Sequence, residues 1–131
     1  MTHADVQAWL DRYVDAWLTY EPGRIADLFS EGVEYRYHPS DEPVVGRDAV
    51  VRSWTEPAGQ ASGRDAPGTY QARYEPYAID GQRAVAVGRS DYFEQPGGPI
   101  RETYDNCFLL RFDADGRCDS FTEFFIRRPP G

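Results

Sequence analysis

The chain has no lysine, one methionine, two cysteines and two histidines in 131 residues. Each scarcity removes a class of function. Cys107 and Cys118 are too few for a disulfide framework and lack the spacing of a metal site, so free thiols in a reduced compartment are expected. His3 and His38 make no metal site without further ligands, and there is no glycine-rich phosphate loop. Neither a metal nor a cofactor is therefore expected. All fourteen cations are arginines, the usage of a GC-rich bacterial coding sequence, and they form no cluster. With a formal charge of −8 and no basic patch, a nucleic-acid partner is not expected. No apolar run is long enough to cross a bilayer, and Met1 to Asp5 lack the basic and apolar stretches of a secretory leader. A cytoplasmic protein without a membrane partner is the expectation.

What the chain does have is apolar surface. At 40% hydrophobic and 15% aromatic residues, 131 positions suffice for one domain with its own core, and no repeat or second domain is visible. Thr2 and Asp5 have the spacing of a capping box, and Val6, Leu10, Tyr13, Trp17 and Tyr20 then recur at helical spacing. Glu21-Pro22-Gly23 interrupts this first helix. Ile25, Leu28 and Phe29 predict a short second helix stopping at Gly32, followed by a short strand from Val33 to His38. A third helix opens at Gly46-Arg47-Asp48 and is ended by Pro57. The Gly- and Pro-rich stretch from Pro57 to Gly68 reads as a loop able to cover a site. Long strands are predicted at 69–79, 83–94 and 100–112, with a turn at 113–116 into a last strand. Helices first and a strand meander afterwards indicate an α+β domain with its helices packed on one face of a curved antiparallel sheet.

One residue breaks the apolar pattern of the last strand. In Ser120-Phe121-Thr122-Glu123-Phe124-Phe125-Ile126, alternation puts Phe121, Glu123 and Phe125 on one face, where an ionised carboxylate is costly unless paired. Either it has partners or it takes up a proton, and both outcomes suit acid/base chemistry. A four-residue turn at 113–116 would pair Phe108 with Phe121, Asn106 with Glu123 and Tyr104 with Phe125. Along 83–94 the bulkier set, Val85, Val87, Arg89, Asp91 and Phe93, suits the helix-covered face, which would bring Arg89 and Asp91 to Glu123. The alternative puts both on the solvent face as ordinary strand charges. Tyr13, Tyr35, Tyr37, His38 and Trp54 complete the candidate lining, each equally readable as core or rim.

The layout resembles the nuclear transport factor 2-like superfamily, specifically its SnoaL-like members. The resemblance is carried by Arg12-Tyr13-Val14, Ile25-Ala26-Asp27-Leu28-Phe29, Gly46-Arg47-Asp48-Ala49-Val50, and Phe112 to Arg117 leading into Thr122-Glu123-Phe124-Phe125. It implies a cone-shaped fold, a small apolar ligand, no cofactor and a homodimer. This superfold hosts isomerases, cyclases, dehydratases, hydrolases and binding modules, so activity must be read from the site. Arg89-Ser90-Asp91 with Glu123 is similar in order to the groups of limonene-epoxide hydrolases, where Glu123 would deprotonate water and Asp91 would protonate the epoxide. That family's Tyr-x-Asn falls on Tyr35-Arg36-Tyr37, without the amide. In ketosteroid isomerases Tyr13 matches the tyrosine, while the base falls near His38 and the protonated acid on Phe108. A SnoaL-type cyclase needs only one acid/base, which Asp91, His38 or Glu123 could supply.

The leading expectation is a cofactor-free acid/base enzyme acting on a small apolar molecule, with Glu123, Asp91 and Arg89 as its polar centre. The rival is a non-catalytic ligand-binding or dimerisation domain in which these charges form a structural cluster.

Overall fold

A computed structural model describes residues 1–56 and 64–130, so most of the loop expected at Pro57 to Gly68, and any covering role for it, lies outside the described residues. Helix α1 runs from His3 to Thr19 and starts where the sequence predicts. The Thr2 hydroxyl accepts from the Asp5 amide at 3.1 Å, and the Asp5 carboxylate accepts from the Thr2 amide at 2.9 Å. The helix ends at Tyr20, whose left-handed backbone (φ 52°) is held by contacts of its side chain described below. Its buried face is Val6, Trp9, Leu10, Tyr13 and Ala16.

Helix α2 spans Pro22–Asp27, with the proline in its first turn. It does not continue to Gly32. Strand β1, Phe29–Arg36, begins two residues later because the backbone there finds a partner across the fold: the Cys118 amide donates to the Leu28 carbonyl at 2.8 Å, and Phe29 pairs with Cys118. Phe29 is fully buried edge-on to Trp9, Tyr35 and Trp54, a reward that outweighs local helix propensity. A two-residue strand β2 (Val44–Val45) precedes helix α3 (Arg47–Thr55), followed by β3 (Tyr70–Asp80), β4 (Arg83–Phe93), β5 (Ile100–Phe112) and β6 (Cys118–Arg127).

The strands form one curved sheet in the order β2-β1-β6-β5-β4-β3. β1 runs parallel to β6, whereas every other pairing is antiparallel. The helices lie against its inner face, as an α+β reading requires. Trp9 anchors the contact, its indole N–H donating to the Leu28 carbonyl at 2.9 Å and its ring edge-on to Phe112. Among the described residues no helix is long and apolar enough to cross a membrane.

The last hairpin differs from its expected register by two residues. The Asp113 amide bonds the Arg117 carbonyl, which leaves a three-residue turn with Gly116 at positive φ, and Asp119 then bulges out between Cys118 and Ser120. Each feature slips the ladder by one. Phe108 therefore faces Glu123, Asn106 faces Phe125 and Tyr104 faces Arg127. Two slips restore parity, so beyond the bulge, from Ser120 to Arg127, the β6 side chains keep the face that alternation predicts, whereas Cys118 before it is turned into the core with Phe121.

The β4 faces are the reverse of the expectation. Ala84, Ala86 and Ser90 are buried toward the helices, and Arg89 and Asp91 stand on the outer face. Gly88 shows why: a Cβ there would lie 2.2 Å from the Arg73 carbonyl oxygen and 2.4 Å from the Tyr74 ring. Rings from α1, β1, β3 and β5 already fill the interior opposite Ala84, Ala86 and Gly88, so there β4 can offer only small residues to it.

Candidate functional site

Between the helices and the inner sheet face lies a cavity of about 1010 Å³. That is at the upper end of the ~300–1,000 Å³ range of small-molecule sites. Aromatic rings make up nearly half of the lining, and most of the rest is polar or charged. Tyr13 comes from α1, Tyr35 and Tyr37 from the β1 end, and Trp54 from α3, with Tyr104 on β5 and Phe125 on β6. His38 stands at the mouth, where its Nδ1 lies 2.8 Å from Asp41 Oδ2 and its ring 5.2 Å from that of Phe125. All of these are lining residues that the sequence nominates. Phe108 and Phe121 are not lining: both lie behind the wall in the core, with Phe121 stacked 4.4 Å from Tyr35 and 5.6 Å from Tyr13.

Glu123 lines the cavity and is largely withdrawn from water. Its partner is Asn106, although the two are offset by two residues along the ladder. The Asn106 Nδ2 donates to Glu123 Oε2 at 3.2 Å, and the Ser90 hydroxyl donates to Asn106 Oδ1 at 3.1 Å. Burial raises the Glu123 carboxyl from 4.5 to about 7, against smaller lowering effects of the Asn106 bond and the His38 imidazole. At neutral pH both protonation states are populated, as a group that gives and takes protons requires.

Around it the phenols stay neutral. Burial, with the neighbouring Tyr35 and the Glu123 charge, lifts the Tyr13 hydroxyl well above 10. Tyr35 is lifted likewise by burial and by the charges of Tyr37 and Glu123, and Tyr37 is pushed up to about 12, mainly by burial. Tyr13 and Tyr35 place their hydroxyl oxygens 3.5 Å apart, a long contact that leaves donor capacity. Tyr37 gives its proton to Ser53 Oγ at 2.7 Å, since the Ser53 proton goes to the Val50 carbonyl.

Arg89 and Asp91 do not reach this site. On the outer face, Arg89 Nε and Nη2 donate to Asp91 Oδ1 and Oδ2 at 3.1 and 3.2 Å, the Thr103 hydroxyl donates at 2.6 Å and Gln71 Nε2 at 3.2 Å. Burial by itself would raise the Asp91 carboxyl, but the bonds from Thr103, Gln71 and Arg89, with the guanidinium charge, hold it below the ordinary value. This is a satisfied ion pair on the far side of the sheet from Glu123.

Several lining residues were not nominated by the sequence. Tyr74, Ser90 and Tyr92 follow directly once the faces of β4 are corrected. At the other end of the cavity Trp17 Nε1 and the Tyr20 hydroxyl both donate to Asp65 Oδ2, at 3.1 and 3.2 Å, and the Asp65 amide donates to Tyr20. These bonds hold the segment before β3 against the end of α1. Arg101 and Glu102 lie at the rim, with Glu102 also bonded to Arg127 at 3.3 Å. Nothing in local sequence periodicity signals such cross-fold contacts. Among the described residues no group of three or more His, Cys, Asp or Glu side chains is placed to hold a metal ion.

Comparisons with known proteins agree on the architecture. The SnoaL-like domain family model matches residues 10–121 of the chain. Among solved structures, a ketosteroid isomerase-like protein from Kribbella flavida DSM 17836 is similar over 98% of this chain and 85% of its own. The TM-score is 0.64 at 20% identity, a likeness of fold. Curated protein sequences gave no match.

Proposed function

The chain belongs to the SnoaL-like domain family, and from that premise we propose that it binds a small, largely apolar molecule in its aromatic cavity and moves a proton on it through Glu123. One observation carries the reading: a cavity carboxyl, Glu123, held by one amide, whose proton affinity sits near neutrality. An apolar wall supplies affinity and shape selection, and a group with a value near the working pH is the most effective general acid or base.

The reaction class that fits is proton transfer next to a carbonyl, as in an isomerase or an aldol-type cyclase. The carboxylate takes a proton from the carbon beside the carbonyl, electron density moves onto the carbonyl oxygen, and the protonated Glu123 returns the proton to a carbon. Tyr13 and Tyr35, neutral and with a donor to spare, are suited to bond the developing oxyanion. An epoxide-hydrolase scheme requires Arg89 and Asp91 beside Glu123, and both lie on the outer face.

A panel of small cyclic ketones in D2O provides the test. Ligand-observed NMR identifies the binders, and loss of the proton signal beside the carbonyl reports exchange. Catalysed exchange that disappears in Glu123→Gln is expected. Ketones that bind without exchanging faster than in buffer would leave a binding domain and remove the enzyme reading. The same reading carries a homodimer, as the family resemblance implies, and a monomer mass in sedimentation at micromolar concentration would refute it.

A further inference from the structure

Ser90 is an exception in its row. The inner face of β4 runs Ala84, Ala86, Gly88, Ser90 and Tyr92, and beside the three small residues that precede it an alanine at 90 would meet the steric need. Serine adds only an oxygen, and it is buried at 3% exposure. That oxygen spends its proton on Asn106 Oδ1 at 3.1 Å, and Asn106 is itself 7% exposed.

We propose that Ser90 is a positioning residue of the site: its hydroxyl locks the Asn106 amide with Nδ2 toward Glu123, which restrains one carboxyl oxygen and leaves the other to meet the substrate. The two ends of an amide are nearly equal in shape and opposite in hydrogen-bonding sense. With Oδ1 engaged by Ser90, the end facing Glu123 is a donor, and it favours the carboxylate. Without Ser90 the amide is free to turn over. Oδ1 would then repel the carboxylate and accept a bond from the acid, moving the site toward its protonated state. Among the described residues Asn106 is the hydrogen-bond donor to Glu123, and the bond is to Oε2.

The inference rests on Glu123 being the proton carrier, but its test reads Glu123 directly, so the two can fail separately. The other titratable groups facing Glu123 are the phenols of Tyr13, Tyr35, Tyr37, Tyr74 and Tyr92 and the imidazole of His38. A substitution at Ser90 removes a contact that lowers the Tyr74 phenol, and burial keeps all five phenols neutral through the range in which Glu123 titrates.

The experiment is carboxyl 13C NMR titration of the full chain, with the Glu123 resonance assigned by its loss in Glu123→Gln. Ser90→Ala is expected to raise the Glu123 midpoint by about one pH unit, a tenfold gain in proton affinity. Asn106→Leu is expected to raise it as well, and adding Ser90→Ala to Asn106→Leu should change nothing further, because the hydroxyl acts through the amide. Should the alanine variant not fold, Ser90→Cys keeps the shape with a slightly larger atom and a much weaker donor, and carries the same expectation in the same direction. An unmoved midpoint in the folded Ser90 variant would overturn the proposal. So would a Ser90 effect that survives in the Asn106→Leu background. Full ketone exchange by Glu123→Gln would instead remove Glu123 as the proton carrier and leave the Ser90 result standing.

Discussion

Asp91 and Glu123 stand on opposite faces of one sheet, both largely removed from water, and their carboxyls hold protons in opposite ways. Asp91, at 4% exposure, stays below the ordinary value, whereas Glu123 in its open cavity is raised to about 7. Burial pushes both upward, Glu123 more strongly, and bonding decides whether that push survives. Asp91 receives bonds from Thr103, Gln71 and a guanidinium, and both of its oxygens are occupied. Glu123 receives one neutral amide bond. A fully bonded carboxylate serves as a fixture, while a carboxyl with a spare oxygen in an apolar cavity is able to exchange its proton.

The contrast can be broken most severely at Glu123. Glu123→Gln keeps the acceptor for Asn106 but cannot titrate, and ketone exchange measured by NMR should fall about 10²–10⁴-fold. In the wild type the same exchange should rise with pH through about 7, as the base form accumulates.

Stability provides the next largest effect, and its sign is opposite to that of a paired carboxylate. The native state holds the Glu123 proton more tightly than the unfolded chain, whose value is near 4.5. Wild-type stability is thus greatest below 4.5 on this account and falls as pH rises through about 7, by up to about 3 kcal/mol in total. Urea unfolding at pH 4.5 and pH 9 should show Glu123→Gln gaining on the wild type by that amount at the higher pH. A constant difference between the two proteins would mean that Glu123 is not raised.

Asp91→Asn should instead destabilise by about 1–3 kcal/mol at pH 7, because Thr103, Gln71 and Arg89 lose a charged acceptor, with ketone exchange per folded molecule unchanged. Its depressed carboxyl gives stability that is present above its unfolded value and lost as pH falls through the folded one. The gap between the two proteins should therefore close in acid below 3.8. The smallest effect is expected of Arg89→Met. The guanidinium is half-exposed, so its loss should cost at most about 1 kcal/mol, and less in high salt.

Much of this arrangement was legible in the chain. The capping box fixes the start of α1, and strand alternation puts Phe121 and Glu123 on one face whatever the register, since the two one-residue slips cancel in parity. The aromatic count announces a lined interior. The faces of β4 were not legible: the usual preference for bulk toward the core would send Val85, Val87 and Asp91 inward, and the interior volume was already taken by rings from other elements. The bond of Cys118 to Leu28 that turns Phe29 into a strand joins positions 90 apart in sequence. No local pattern encodes it.

The sequence by itself determined which side chains share a strand face with Glu123, because alternation is a property of the strand backbone. Only the tertiary structure decided that Arg89 and Asp91 lie on the other side and that Ser90 stands behind the Asn106 expected beside Glu123. Packing volume is shared among all elements, and no single segment carries the information on how it is divided.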